Sequence, residues 1–131
     1  MENRIVHIFK CDHTEEKFRW SLYDSLGRGW NNTGVITSHI AKLGPKSVVK
    51  NACVHWIGWG GIHQLEPTHI AIFDMQKMTW FDSEIPERAK TTYHALVDYN
   101  NGVGFVFYQN VGFRRSIQVW QLVQQGMDGI N

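Results

Sequence analysis

With 131 residues, 43% of them hydrophobic and 19% charged, the chain has the composition of one globular domain large enough for a real core. A net charge of +1, with no basic run longer than Arg114-Arg115, excludes the electrostatic footprint of a nucleic-acid binder, and no run of about 18 apolar residues is present to span a membrane. Met1–Lys10 lacks an apolar signal core and two cysteines cannot build a disulfide framework, so a reduced intracellular setting, cytoplasmic or nuclear, is expected.

Six Trp and seven Phe favour strands. Arg4–Cys11 alternates Ile5, His7 and Phe9 against Val6, Ile8 and Lys10, and Phe18–Asp24 alternates Phe18, Trp20 and Leu22 against Arg19, Ser21 and Tyr23. With the polar turn Asp12–Lys17 between them, they read as a hairpin at the solvated edge of a sheet. Ser25–Pro45, punctuated by Gly27, Gly29, Gly34, Gly44 and Pro45, reads mainly as loop around a short strand near Gly34–Ile40, with Trp30 plugging the sheet from the loop. Asn31-Asn32-Thr33 matches a glycosylation sequon, but without a signal peptide it carries little weight.

Ser47–Lys50 and Ala52–Gly58 read as strands around an Asn51-Ala52 turn, followed by a glycine-rich loop, Gly58–Pro67, that is long for a hairpin. Thr68–Met75 and Met78–Glu84 flank a tight turn at Gln76-Lys77, and Pro86 ends the second strand because it cannot donate to a ladder. After a charged connector, Glu87–Thr92, come the strands Tyr93–Tyr99, Gly102–Gln109 and Ser116–Val123, joined at Asn100-Asn101-Gly102 and at Asn110–Arg115. No segment has a convincing amphipathic helical pattern. Gln124–Asn131 is expected to fray, which leaves 4–123 as the β-domain.

Two of these segments share one grammar. Lys50–Gly58 followed by Ile70–Asp74 resembles Asn100–Tyr108 followed by Ile117–Gln121, the halves lying 50 and 47 residues apart. A period of about 40–50 residues is that of four-stranded propeller blades. The expected fold is therefore all-β, with antiparallel sheets arranged as a partial β-propeller of about two to three blades, short of the roughly four needed to close. End sheets of such an array leave apolar faces and edges open, which invites self-association.

The same residues resemble a known family. Val49–Gly58 (VKNACVHWIG), Ile70–Pro86 (IAIFDMQKMTWFDSEIP) and Val103–Phe107 with Ile117–Leu122 (IQVWQL) are similar, in order and spacing, to the strand pairs of the plant F-box-associated domain. Val6–Trp20 with Trp30 is similar to its upstream segment, so the resemblance covers most of 4–123; Ala52 stands where the family usually has glycine, and Met78–Phe81 shifts its aromatic pattern. The resemblance implies a substrate-binding module of an SCF-type ubiquitin ligase, whose partner is a protein substrate. No Leu-Pro-rich helical segment precedes Arg4, so it implies that half alone, with a Skp1-type adaptor as partner only where an F-box lies upstream. Other classes consistent with a propeller are a carbohydrate-binding domain, with Trp30 and Trp59 stacking on sugars, and a fragment of a propeller hydrolase.

Candidate chemistry is sparse, and no enzymatic activity, cofactor or metal is expected. Cys53 and His55, like Cys11 and His13, stand at i and i+2; together they could form a Cys₂His₂ site, but zinc ligands usually sit on turns at other spacings. Side chains at i and i+2 of a strand lie about 6–7 Å apart, too far for a histidine to activate a thiol. Asp82 and Glu84, with Asp74 across the hairpin, could pair as glycosidase carboxylates but read as the solvated face of an outer strand, with Asp74 bonding nearby turn amides. The materials of a recognition surface are Trp59, His63 and His69 around the glycine-rich loop, and Phe113, Arg114 and Arg115 at a hairpin tip, where arginine suits acidic partners. Trp59 also has a plainer reading, as a ring folded back to cap its sheet.

Overall fold

A computed structural model describes residues 4–9, 18–24, 29–36, 40–91, 93–123 and 126–130. The described residues are all-β, apart from one short 3-10 turn at Glu87–Ala89. They divide into two units, Met1–His39 and Ile40–Asn131. The first holds a three-stranded antiparallel sheet of β1 (Arg4–Phe9), β2 (Phe18–Asp24) and β3 (Gly29–Ile36). The second holds two four-stranded antiparallel meanders. One comprises β4 (Lys42–Lys50), β5 (Cys53–Trp59), β6 (His69–Asp74) and β7 (Thr79–Glu84); the other comprises β8 (His94–Tyr99), β9 (Gly102–Val111), β10 (Arg114–Val123) and β11 (Gly126–Ile130). No helix of the described residues is long and apolar enough to cross a membrane.

Several boundaries differ from the sequence reading. The stretch read mainly as loop contains β3 and the start of β4. Gly34 is a packing residue, because a Cβ there would lie 2.5 Å from the Trp20 indole that crosses it. Trp30 accordingly lies on a strand, not in a loop. Pro45 sits inside β4, where the register with β5 shifts between Leu43 and Ser47, the kind of irregularity that tolerates a residue with no N–H. The segment expected to fray contains β11, which pairs with β10 from Val119↔Ile130 to Val123↔Gly126. The turn at Asp12–Lys17 lies outside the described residues.

The two meanders repeat in strand order, and in register from the second half of their first strand through their third; the last hairpin is two residues shorter in the second, Val123↔Gly126 against Asp74↔Thr79. The turns Asn51-Ala52 and Asn100-Asn101 both hold two consecutive positive-φ residues (53° and 63°; 51° and 60°), the backbone of a two-residue hairpin of type I′. Ile57↔Ile70 on β5–β6 corresponds to Val106↔Val119 on β9–β10, each residue 49 positions on. The sequence match that set Ile70 against Ile117 was therefore two residues short. A slip of two preserves which face a side chain takes, so the alternation concealed it; the first half, matched at 50, was one residue long and exchanged the two faces.

The two sheets share one core: Ile57, Ile70 and Ile72 from the first, Phe105, Phe107 and Trp120 from the second, and Ile85 and Ala89 from the connector. Burying each of these side chains, Ala89 apart, is worth about 1.5–3 kcal/mol. Correspondence by 49 places Phe105 with Trp56, and Trp56 lies on the face of β5 opposite Ile57. The sheets thus stack head to tail, front face of the first on back face of the second. Lys50 and Asp98 close the Asn-turn end with a 2.9 Å ion pair. On its other face the first sheet also buries Val54, Ala71 and Phe73, whereas the second leaves Tyr93, Tyr108 and Ile117 exposed.

Candidate recognition surface

Opposite the Lys50–Asp98 pair, the unit presents the β5–β6 loop and the β9–β10 turn, which occupy corresponding places in the two meanders. Trp59 at the end of β5 meets His94 at the start of β8 edge-on, with centroids 5.6 Å apart. That contact sets the loop end of one sheet beside the turn end of the other. Between them runs a groove of about 290 Å³ walled by Gly44–Ser47 of the irregular β4, Trp59, His94 and Ala95.

Trp59 is fixed in place. Its Nε1–H donates to the Leu65 carbonyl at 3.4 Å, and Lys42 Nζ stands 4.7 Å from its ring centroid. It packs, half-buried, against the shared core. The ring therefore caps its sheet and offers only one wall to the groove.

The loop that follows is tied at its base. Gly60 N–H donates to Thr68 Oγ1 at 2.7 Å, the same hydroxyl pairs with His69 Nδ1 at 2.7 Å, and Thr68 N–H donates to the Gly58 carbonyl at 2.9 Å. His69 is thus half-buried at the base, opposite Gly58 in the ladder, while His63 is exposed at the tip between exposed Ile62 and Leu65. The structure separates these two histidines, and His69, opposite Gly58, lies on the face of the ladder away from Trp59.

At the second site the expected six-residue turn shrinks to Gly112-Phe113, because Arg114↔Val111 and Arg115↔Asn110 continue the ladder. Gly112, at φ +62°, takes the first turn position, where glycine carries no steric cost. Phe113 is fully exposed. Arg114 and Arg115, being consecutive on β10, point to opposite faces. Arg115 joins Tyr93, Tyr108 and Asn110 around a hollow of about 300 Å³.

The remaining candidates resolve as structure. His55 is buried, and its Nδ1–H donates to the Val48 carbonyl at 3.1 Å, pinning β4 to β5; burial holds its pKa below the usual value. Cys53 has its thiol pKa pushed up, first by burial and then by the Asp74 carboxylate, so it is kept protonated. Asp74 Oδ1 accepts the Gln76 and Lys77 amides at 2.9 and 3.1 Å and organises the four-residue turn Met75–Met78, in place of the tight two-residue turn expected. Asp74 also points away from the face that Asp82 and Glu84 share. Cys11 and His13 lie outside the described residues. Among the described residues no three His, Cys, Asp or Glu cluster as metal ligands would.

Sequence reasoning missed Lys42, His94, Tyr93 and Tyr108. The strand alternation puts Tyr93 on the same face as Ala95 and Val97, a legible signal; the Trp59–His94 contact joins two sheets and has no local signature. Comparison with family models, with curated proteins and with solved structures returned no match.

Proposed function

We propose that this chain is a non-enzymatic protein-recognition module built as a partial β-propeller, resembling the substrate-binding domain of plant F-box proteins in SCF-type ubiquitin ligases. Support for the propeller comes from the head-to-tail stacking of two meanders whose central hairpins share one register: blades stack front on back. Its partners are intracellular proteins marked for ubiquitin transfer, with no role for nucleic acid or membrane. A Skp1-type adaptor joins only through an F-box.

The observation that carries the recognition reading is the fully exposed Phe113 at the tip, beside exposed Arg115 and the corresponding loop bearing Ile62, His63 and Leu65. Folding gains nothing from a phenyl ring held in water, whereas aromatic and arginine side chains are the usual anchors of protein interfaces. The test joins an F-box to the N-terminus and measures which cellular proteins fall in abundance, with and without proteasome inhibition. A set of proteins lost with wild type and restored by Phe113→Ser with Arg115→Ser is expected. No protein responding to those substitutions, or glycan binding abolished by them, would overturn the reading. The chain alone is expected to leave a Skp1-type adaptor unbound in a pull-down.

A further inference from the structure

The outer face of the β8–β11 sheet is an open apolar surface. Tyr93, Tyr108 and Ile117 form a row across three strands, 69%, 45% and 63% exposed, with Ala95, Val106 and Val119 in the next row. The two tyrosine rings meet edge to face at 6.0 Å, and a hollow of about 330 Å³ lies over Ala95, Val106 and Ile117.

The repeat says what such a face does. Val106, Tyr108 and Val119 hold the positions of Ile57, Trp59 and Ile70, each 49 residues earlier. Those three are among the residues, with Ile72, through which the first meander packs on the second. The front face that receives a sheet in the first meander is therefore repeated, uncovered, in the second.

A matching back face lies on the β1–β3 sheet. Its hairpins fit those of β5–β7 when Trp20, Leu22 and Ile36 are set on Ile70, Ile72 and Ile85, 50, 50 and 49 positions on. In that fit the opposite face, with Ile5 56% and Val35 50% exposed and His7 stacked on Phe9 at 4.9 Å, falls on the Val54 side. The Val54 side is in turn equivalent to the Phe105 side, which accepts a front face in the shared core.

We propose that the chain self-associates head to tail, the Tyr93–Tyr108–Ile117 face of one copy packing on the Ile5–Phe9–Val35 face of a second. This rests on the blade-like stacking of the sheets and not on substrate recognition, which Phe113 at the turn tip probes separately, whereas Arg115 borders the associating face beside Tyr93 and Tyr108. Such a contact joins two different surfaces, so it repeats until a ring closes or a filament grows.

Sedimentation equilibrium of the full chain tests it. The 15.2 kDa chain is expected to show at least twice that mass at high micromolar concentration. Ile117→Lys and Ile5→Lys should each give a monomer with wild-type circular dichroism, and mixing them should restore a two-chain species, because each retains the face the other lacks. Tyr93→Lys and Val35→Lys replace either variant should it fail to fold. A monomeric wild type, a variant of undiminished mass, or a mixture that stays monomeric would overturn the proposal; the last is the result for a contact between like faces.

Discussion

The two meanders of the larger unit share one register over their central hairpins but differ in their relation to water. In the first, Ile70, Ala71, Ile72 and Phe73 are buried on consecutive positions of β6, so both faces are covered. In the second, Phe105 and Phe107 are buried while Tyr108 and Ile117 are exposed. Identical hairpin geometry therefore does not decide burial. The backbone register comes from the turns and ladders, and the burial of a face comes from what packs against it.

The sharpest way to break this comparison is to truncate one residue on each side of the second sheet. Phe105→Ala empties the shared core and should lower stability by about 3–5 kcal/mol in urea titration, whereas Ile117→Ala, on the open face, should change it by less than about 0.5 kcal/mol in the monomer at low concentration. Comparable losses would show that the outer face is covered.

A second experiment concerns the buried histidine that the first sheet has and the second lacks, since Gly104 holds its place. His55 has a folded pKa below the usual 6.5, so the unfolded chain takes up a proton that the folded chain refuses. Its contribution is full above pH 6.5 and is lost as pH falls beneath that value, with a slope of at most about 1.4 kcal/mol per pH unit. His55→Asn, which keeps a donor near Val48, should flatten that acid limb in melts run between pH 7 and 5.

Smaller effects distinguish the equivalent turns. Ala52 occupies the left-handed region that disfavours a Cβ, so Ala52→Gly should raise stability by about 1 kcal/mol. Asn101 tolerates the same backbone, and Asn101→Gly should alter stability by only a few tenths of a kcal/mol. The smallest change is expected at the tie between the sheets: Asp98→Asn should cost less than about 1 kcal/mol, and the loss should shrink with added salt.

The sequence was most legible where local chemistry decides. Asn51-Ala52, Asn100-Asn101 and the alternation of β5, β6, β9 and β10 signal hairpins without any tertiary knowledge. β3 runs over Gly29–Ile36 where a short strand was expected near Gly34–Ile40, because its glycines and asparagines look like loop residues and only the Trp20 ring lying across Gly34 explains that glycine. β11 was hidden because Gly126–Ile130 has no alternation of its own; its pairing comes from the open ladder of β10. At the recognition surface, Phe113 and the loop residues could be named from composition. The folding of Trp59 onto Lys42 and His94 could not be located, since it brings together three separate strands.

The equal span of the two central hairpins has a consequence for how such a chain diversifies. Between the paired strands, residues 60–68 of the first and 109–117 of the second are the same length, yet one is an irregular loop and the other an extended ladder capped by Gly112-Phe113. Exchanging one segment for the other would keep the 49-residue spacing of the frame while removing the ties that Leu65 and Thr68 give the loop end of β5. Tip chemistry is thus replaceable within a constant span, and new specificities can arise by swapping nine residues while the core beneath keeps its sequence.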